Sequence, residues 1–275
     1  MECLYSRFRQ AQKRLYGNKG ETVWHLLTTT CTFIPVCLLV QEKRERPRHR
    51  TTFSGMQRKT ISIPSVSPTI SDSIRMGYDK SVKKTLSGKA NVIFPNDNCR
   101  FASYLLRHFH EYLGEIKGED IDVIHWNAGL WDTLRLFDEE PHTPINIYTY
   151  YIERICIRIK KLCPNAHVIF ATSTKVLSEK LSKDFPNFKR YNEEIEKYND
   201  EAVKIVKKYG FKINDLYALS ATLPEEAHSD AVHYYTPAGT EAFTNQVLSF
   251  VVPELGIDEV IKYHEEMYTD KPVGI

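Results

Sequence analysis

Short apolar runs of strand length alternate with longer stretches of helical periodicity from residue 91 to residue 214, and this alternation limits the possible folds more than any other feature of the chain. Asn91–Phe94, Ile121–Trp126, Ala166–Ala171 and Phe211–Asn214 read as strands. Between them, Arg100–Leu113 places Phe101, Leu105, Leu106, Phe109 and Leu113 on one helical face. Ile145–Leu162 and Tyr191–Tyr209 behave alike, the latter closing on Gly210 as a C-cap. Pro237 opens a last helix, where its missing N–H costs nothing. Strands that alternate with helices predict an α/β class with a parallel sheet covered on both faces. Such sheets carry their chemistry just beyond the carboxyl ends of the strands.

The chain has 275 residues, 42% hydrophobic and 12% aromatic, enough for one sizeable core. Its net charge of +2 gives no strong field toward nucleic acid or an anionic membrane, and no nucleic-acid partner is expected. Six cysteines (Cys3, Cys31, Cys37, Cys99, Cys156 and Cys163) form no CxxC pair and no Cys/His set of zinc spacing. They read as free thiols of a reducing cytoplasm, and neither a metal nor a cofactor is expected.

Residues 1–55 differ from the rest, with ten Lys/Arg against four Glu. Val23–Val40 is an apolar run of marginal membrane-spanning length, weakened by His25, Pro35 and four threonines and flanked by basic residues on both sides. No small-residue cleavage site follows it. A membrane anchor, a disordered basic extension and a natural start at Met56 all remain open, the last two being favoured. The expected organisation is therefore an atypical extension over 1–55 and an α/β domain over 56–275, with a cytoplasmic location and membrane anchoring through residues 23–40 as the alternative.

Four polar segments fall where the strands end: Ser71–Tyr78, Pro95–Arg100, His125–Asp132, and Asp230–His233 running on into Thr236–Gly239. A serine hydroxyl is a weak nucleophile until a base takes its proton. An imidazole does this near neutral pH when a carboxylate fixes its tautomer. Asp230 and His233, three apart before a helix, can place the carboxylate at Nδ1 and leave Nε2 for Ser73. A helix over Ile74–Leu86 would aim the Ser73 N–H and a favourable dipole at an oxyanion. Asp72 reads as a turn-holding residue, and Arg100 as a ligand for a substrate carboxylate or a partner for Asp97, the second being favoured. Trp131 can line a substrate pocket, whereas Trp126 reads equally well as core. Residues 173–189 follow a strand end and could form a movable rim.

In their order and spacing these four segments resemble the blocks of the SGNH hydrolases, or GDSL-type esterases. Asp230–His233 matches the last block, Ser71-Asp72-Ser73 stands for Gly-Asp-Ser, and the Asn-Cys-Arg-Phe (98–101) and Asn-x-Gly-Leu (127–130) runs resemble a bacterial subgroup. The resemblance spans roughly residues 60–252. It implies a three-layer α/β/α, flavodoxin-like fold with a parallel sheet of about five strands, no metal and no cofactor. It also implies a serine esterase with Ser73, Asp230 and His233 as catalytic residues. Asn98, Asn127, Gly129 and Trp131 become the oxyanion and substrate residues, Asn98 being the preferred donor. The substrate would be a small-molecule or glycan ester, with deacetylation of a carbohydrate favoured. A lysophospholipase or thioesterase, or an inactive glycan- or acyl-binding protein, are the alternatives.

Two departures stand out. Ser71 replaces a glycine, which is costly if that turn needs positive φ. The first strand, within Ile61–Ile70, contains two prolines, Pro64 and Pro68, each unable to donate to a ladder.

Overall fold

The structure, a computed structural model, describes residues 65–259 and 261–267. In chain order the strands are β1 (Ser65–Ile70), β2 (Ala90–Ile93), β3 (Val123–Trp126), β4 (Arg135–Leu136), β5 (His167–Ala171), β6 (Phe188–Lys189) and β7 (Lys212–Asn214). The helices are α1 (Asp79–Thr85), α2 (Ala102–Tyr112), α3 (Ile145–Leu162), α4 (Ser178–Asp184), α5 (Asn192–Lys208), α6 (Leu216–Thr222) and α7 (Pro237–Glu254). Five strands form one parallel sheet in the order β2-β1-β3-β5-β7, and β4 pairs antiparallel with β6 in a small second sheet. The order in which strands are added reverses between β1 and β3, the position of the crevice where doubly wound sheets bind ligands.

Two apolar cores sandwich the sheet. On one face Val82 of α1, Leu216 of α6 and Phe243, Val247 and Val251 of α7 pack with Val92, Val123 and Ile169. On the other, Leu105 and Phe109 of α2, Ile152, Ile155 and Ile159 of α3, and Ala202 and Val206 of α5 pack with Ile70, Ile124, Trp126 and Phe170. Alternate residues along β3 thus serve opposite cores, as the two-residue period of a strand requires. The expected α/β class and three-layer arrangement are found. The predicted helix Ile145–Leu162 and helix start at Pro237 are found as well. Cys99, Cys156 and Cys163 are free and buried.

Proline does not keep β1 out of the sheet interior. Pro68 aligns with Ile93 of β2, while toward β3 the Val66 carbonyl accepts from Asp122 N–H and the Ile70 carbonyl from Asn127 N–H. The stretch Asp122–Asn127 is one residue longer than Val66–Ile70, so β3 carries an extra residue across from the proline. The ladder is relaxed where Pro68 has no N–H to give. Val66 N–H, at the start of this stretch, turns to the Asp122 carboxylate at 2.7 Å.

The helix expected over Ile74–Leu86 is broken. A 3-10 turn, Arg75–Gly77, precedes the short α1. The Ser73 carbonyl accepts from Met76 N–H and from the Tyr235 hydroxyl, and a Cβ on Gly77 would lie 2.7 Å from the Tyr235 ring. Tyr235 therefore takes the acceptor and the space that a continuous α-helix would use, and the dipole expected behind Ser73 is that of a single 3-10 turn.

The predicted boundary at Met56, the apolar run 23–40 and Pro64 lie outside the described residues. Among the described residues no helix is long and apolar enough to cross a membrane. Residues 173–189, expected as a movable rim, include α4 and β6, and the exposed Phe185 and Phe188 rings pack together at 5.8 Å between centroids.

α2 has no side-chain cap of its own. The carboxylate of Asp132, remote in sequence, accepts Ala102 N–H at 3.0 Å and serves one orphan donor of that helix. Burial pushes the Asp132 carboxyl up to about 7, against the lowering hydrogen bonds from Thr143 and Ala102. Its folded pKa lies above the unfolded one, so its stabilising contribution is present at low pH and lost as pH rises through about 7. Asp132→Asn should therefore gain in melting temperature relative to the parent as pH rises from about 5 to about 8. A gap that stays constant across that range would count against the buried acid.

Candidate active site

The turn after β1 and the turn before α7 meet at the carboxyl edge of the sheet. Ser73 is buried, and its Oγ lies 2.9 Å from His233 Nε2. On the other side of the ring, Nδ1 lies 2.7 Å from Asp230 Oδ2. These contacts assign a proton to Nδ1 and leave Nε2 as the acceptor toward the hydroxyl.

Local sequence explains the second turn. Asp230 Oδ1 accepts Val232 N–H at 2.7 Å and His233 N–H at 2.8 Å, so one carboxylate oxygen folds the turn while the other holds the ring. Ser229 N–H closes the loop onto the His233 carbonyl at 2.8 Å. Thr236 caps α7 by accepting Gly239 N–H at 3.1 Å and donates to the Ala227 carbonyl at 2.8 Å. A Cβ on Gly239 would lie 2.6 Å from the Ala227 and Tyr234 carbonyls, so only glycine lets the helix start this close to the turn. The Tyr235 ring stacks on His233 at 4.8 Å. Burial raises the Asp230 carboxyl, but the hydrogen bond and charge of His233 and the two backbone N–H groups outweigh it and bring it down to about 2. It is an anion throughout the physiological range.

The turn that carries Ser73 has no residue of positive φ. Ser71 is not among the described residues of positive φ, so a serine fits where a glycine was expected. Asp72 is buried, and its Oδ1 accepts Ile74 N–H at 3.0 Å, as expected of a turn-holding residue. Burial raises its pKa against the lowering effects of the Ile74 N–H, His233, Arg190 and Arg75. Arg75, which sequence reasoning passed over, is buried and fully committed. It pairs with Asp79, reaches the Asp97 carbonyl at 2.8 Å and lies 3.4 Å from the Ser71 carbonyl. It ties the first segment to the second, and Cys99 N–H adds a bond to the Ser71 carbonyl at 3.3 Å.

The two candidate amides differ. Asn98 Oδ1 accepts Arg100 N–H at 3.0 Å, a bond that commits its oxygen and leaves Nδ2 as its donor. Arg100 follows at φ 46°, an uncommon conformation for a non-glycine residue that the Asn98 bond supports. Asn127 Nδ2 instead donates to the Ala171 carbonyl at 2.8 Å and stitches the ends of β3 and β5 together. The Arg100–Asp97 pairing expected from sequence is absent. Arg100 lies over the Tyr104 ring at 5.1 Å, and Asp97 accepts from the Tyr104 hydroxyl at 2.7 Å. Asp97 is thus satisfied by a phenol, and Arg100 is left to an aromatic face.

Gly129 has φ 145°, and a Cβ there would lie 2.7 Å from Ser173 Oγ and 3.0 Å from the Tyr148 hydroxyl. Trp131 is partly exposed, meets Phe101 edge-on at 5.9 Å and has the Arg190 guanidinium 6.0 Å from its ring centroid. Trp126, by contrast, is wholly buried against Phe170. His125 is buried in the sheet, bonded to Asn214 at 3.1 Å, and burial holds its pKa down at about 4. Among the described residues no group of His, Cys, Asp and Glu is arranged to hold a metal ion.

No protein-family model matches the chain, and no curated protein does. Solved structures with a similar fold include the acetyl xylan esterase AlAXEase, with TM-score 0.52, 16% identity and coverage of 68% of this chain and 99% of that one. A lipase/acylhydrolase from Enterococcus faecalis gives TM-score 0.52, 17% identity and coverage of 68% and 95%. Axe2, an acetylxylan esterase from Geobacillus stearothermophilus, gives 0.50, 16%, 71% and 97%. At these identities the likeness is one of fold.

Gly129→Ala should lower stability by about 1–3 kcal/mol, because it adds both backbone strain and a clash. Urea unfolding measures this, and an unchanged midpoint would contradict the close approach to Ser173.

Proposed function

We propose that the protein is a serine esterase that hydrolyses a carboxylic ester through an acyl-enzyme. The observation that carries this reading is the continuous Ser73–His233–Asp230 hydrogen-bond relay, at 2.9 and 2.7 Å, in the sheet's ligand-binding crevice.

Ser73 Oγ attacks the carbonyl carbon while His233 Nε2 takes the hydroxyl proton. The carbonyl π pair moves to oxygen, and the resulting oxyanion needs donors. Ser73 N–H and Asn98 Nδ2 are assigned that role, Asn127 having its amide committed to Ala171. Collapse of the intermediate breaks the bond to the alcohol oxygen, which leaves with the proton from Nε2. Water then attacks the acyl-enzyme, giving its proton to His233, and Ser73 departs with that proton restored. Asp230 holds Nδ1–H and balances the imidazolium formed twice in the cycle.

An acetylated carbohydrate is the favoured substrate. Two acetyl xylan esterases share the fold, and the partly exposed Trp131 ring offers a surface on which a sugar can stack. A longer acyl group is the second reading, supported by the lipase/acylhydrolase of the same fold.

The full chain should hydrolyse p-nitrophenyl acetate, and Ser73→Ala and His233→Ala should each lose about a thousandfold or more in kcat. Retained turnover in Ser73→Ala would remove the serine mechanism. Asn98→Ala should lower kcat about 10- to 1,000-fold with KM little changed. Asn127→Ala should act mainly on the melting temperature, and the reverse pattern would exchange the two assignments.

A further inference from the structure

The mechanism uses nothing from the segment joining β6 to α5, yet that segment buries a charge against Leu130 and Trp131. Arg190 is 6% exposed. Its Nε donates to the Leu130 carbonyl at 2.8 Å, and its guanidinium faces the Trp131 ring. Electrostatic coupling reaches Asp72 and Asp230, the carboxylates next to Ser73 and His233. Burial brings the Arg190 pKa down to about 10, so the group stays a cation at neutral pH.

Arg190 forms an ion pair with neither carboxylate, and among the described residues its Nη1 and Nη2 meet no acceptor. Arg75 shows the contrast: equally buried, it commits all three nitrogens to the protein. An arginine present only to neutralise Asp72 would close onto Asp72 Oδ2, which is itself buried without a partner. A largely buried guanidinium whose two terminal nitrogens have no protein partner among the described residues, and which faces the Trp131 ring, is suited to an acceptor that arrives with the substrate.

We infer that Arg190 is a specificity residue that binds a carboxylate carried by the ester substrate, its two terminal nitrogens donating to the two carboxylate oxygens. The planar fork matches a carboxylate in geometry. A phosphate dianion would be repelled by both Asp72 and Asp230, whereas a monoanion replaces the missing partner at lower electrostatic cost. This inference rests on the esterase reading and deepens it to anionic esters.

The test compares kcat/KM of the full chain on two matched pairs. One is an O-acetylated methyl glucuronoside against the corresponding glucoside, with the carboxylate on the alcohol side. The other is p-nitrophenyl hydrogen glutarate against p-nitrophenyl valerate, with it on the acyl side. The parent should prefer the charged member of one pair by about tenfold or more, chiefly through KM. Arg190→Gln should bring that ratio to about one, and Arg190→Lys should keep part of the preference. A parent that cleaves the neutral esters with no preference in either pair overturns the inference and leaves the esterase reading standing. So does an Arg190→Gln variant, folded by its melting temperature, that slows both members equally. If no ester is turned over, the esterase reading falls, and calorimetry decides on Arg190 alone. Saturable binding of methyl glucuronoside or glutarate to Ser73→Ala, lost in Ser73→Ala/Arg190→Gln, would support it, and absence of binding would overturn it.

Discussion

The hydrogen bond between Ser73 Oγ and His233 Nε2 joins two turns 160 residues apart in sequence, and much of the architecture bears on its length. A bond of this kind tolerates only a few tenths of an ångström. The first turn is held from below by β1, from the side by Arg75 and the Cys99 N–H, and from above by the Tyr235 hydroxyl. The second is held by Asp230 folding back on its own backbone and by the capped, glycine-fitted start of α7. Tyr235 belongs to the second turn but bonds the carbonyl of Ser73, so the two turns are tied by a neutral contact besides the relay itself.

Much of this frame is legible in the sequence because it rests on periodicity and local chemistry. Strands β2, β3, β5 and β7 begin and end within two residues of the apolar runs that announce them. Asp-x-x-His carries its own geometry, since three residues of turn bring the carboxylate both to the backbone N–H and to the ring. What escapes the sequence depends on contacts between distant residues. The break after Ser73 comes from the Tyr235 ring and hydroxyl, which no pattern within 74–86 foretells. Pro68 looks disqualifying in isolation, because the extra residue that accommodates it lies on another strand. Arg190 stands singly between a short strand and a helix, and only the fold brings it to Leu130 and Trp131.

The choice between Asn98 and Asn127 shows the same division. Sequence presents two asparagines after two strands, each able to donate. Their difference lies in which side-chain atom the protein has already used: the oxygen in Asn98 and the nitrogen in Asn127. Amide groups of identical composition thus acquire different prospects from the hydrogen bonds the protein already makes with them.

The two cores on either side of the sheet divide these parts unequally. Ile74, Ala231, Val232 and Tyr234, which flank the serine and the histidine, anchor in the core built on α1, α6 and α7. Cys99, Ala102 and Ala128, which neighbour Asn98 and Gly129, anchor in the core built on α2, α3 and α5, whereas Leu130, between Gly129 and Trp131, belongs to the first core. The residues proposed for proton transfer thus rest mainly on the first core, and those proposed for substrate contact draw on both. Substitutions confined to the second core can therefore shift the turns of Asn98 and Gly129 while leaving the serine, histidine and aspartate in register.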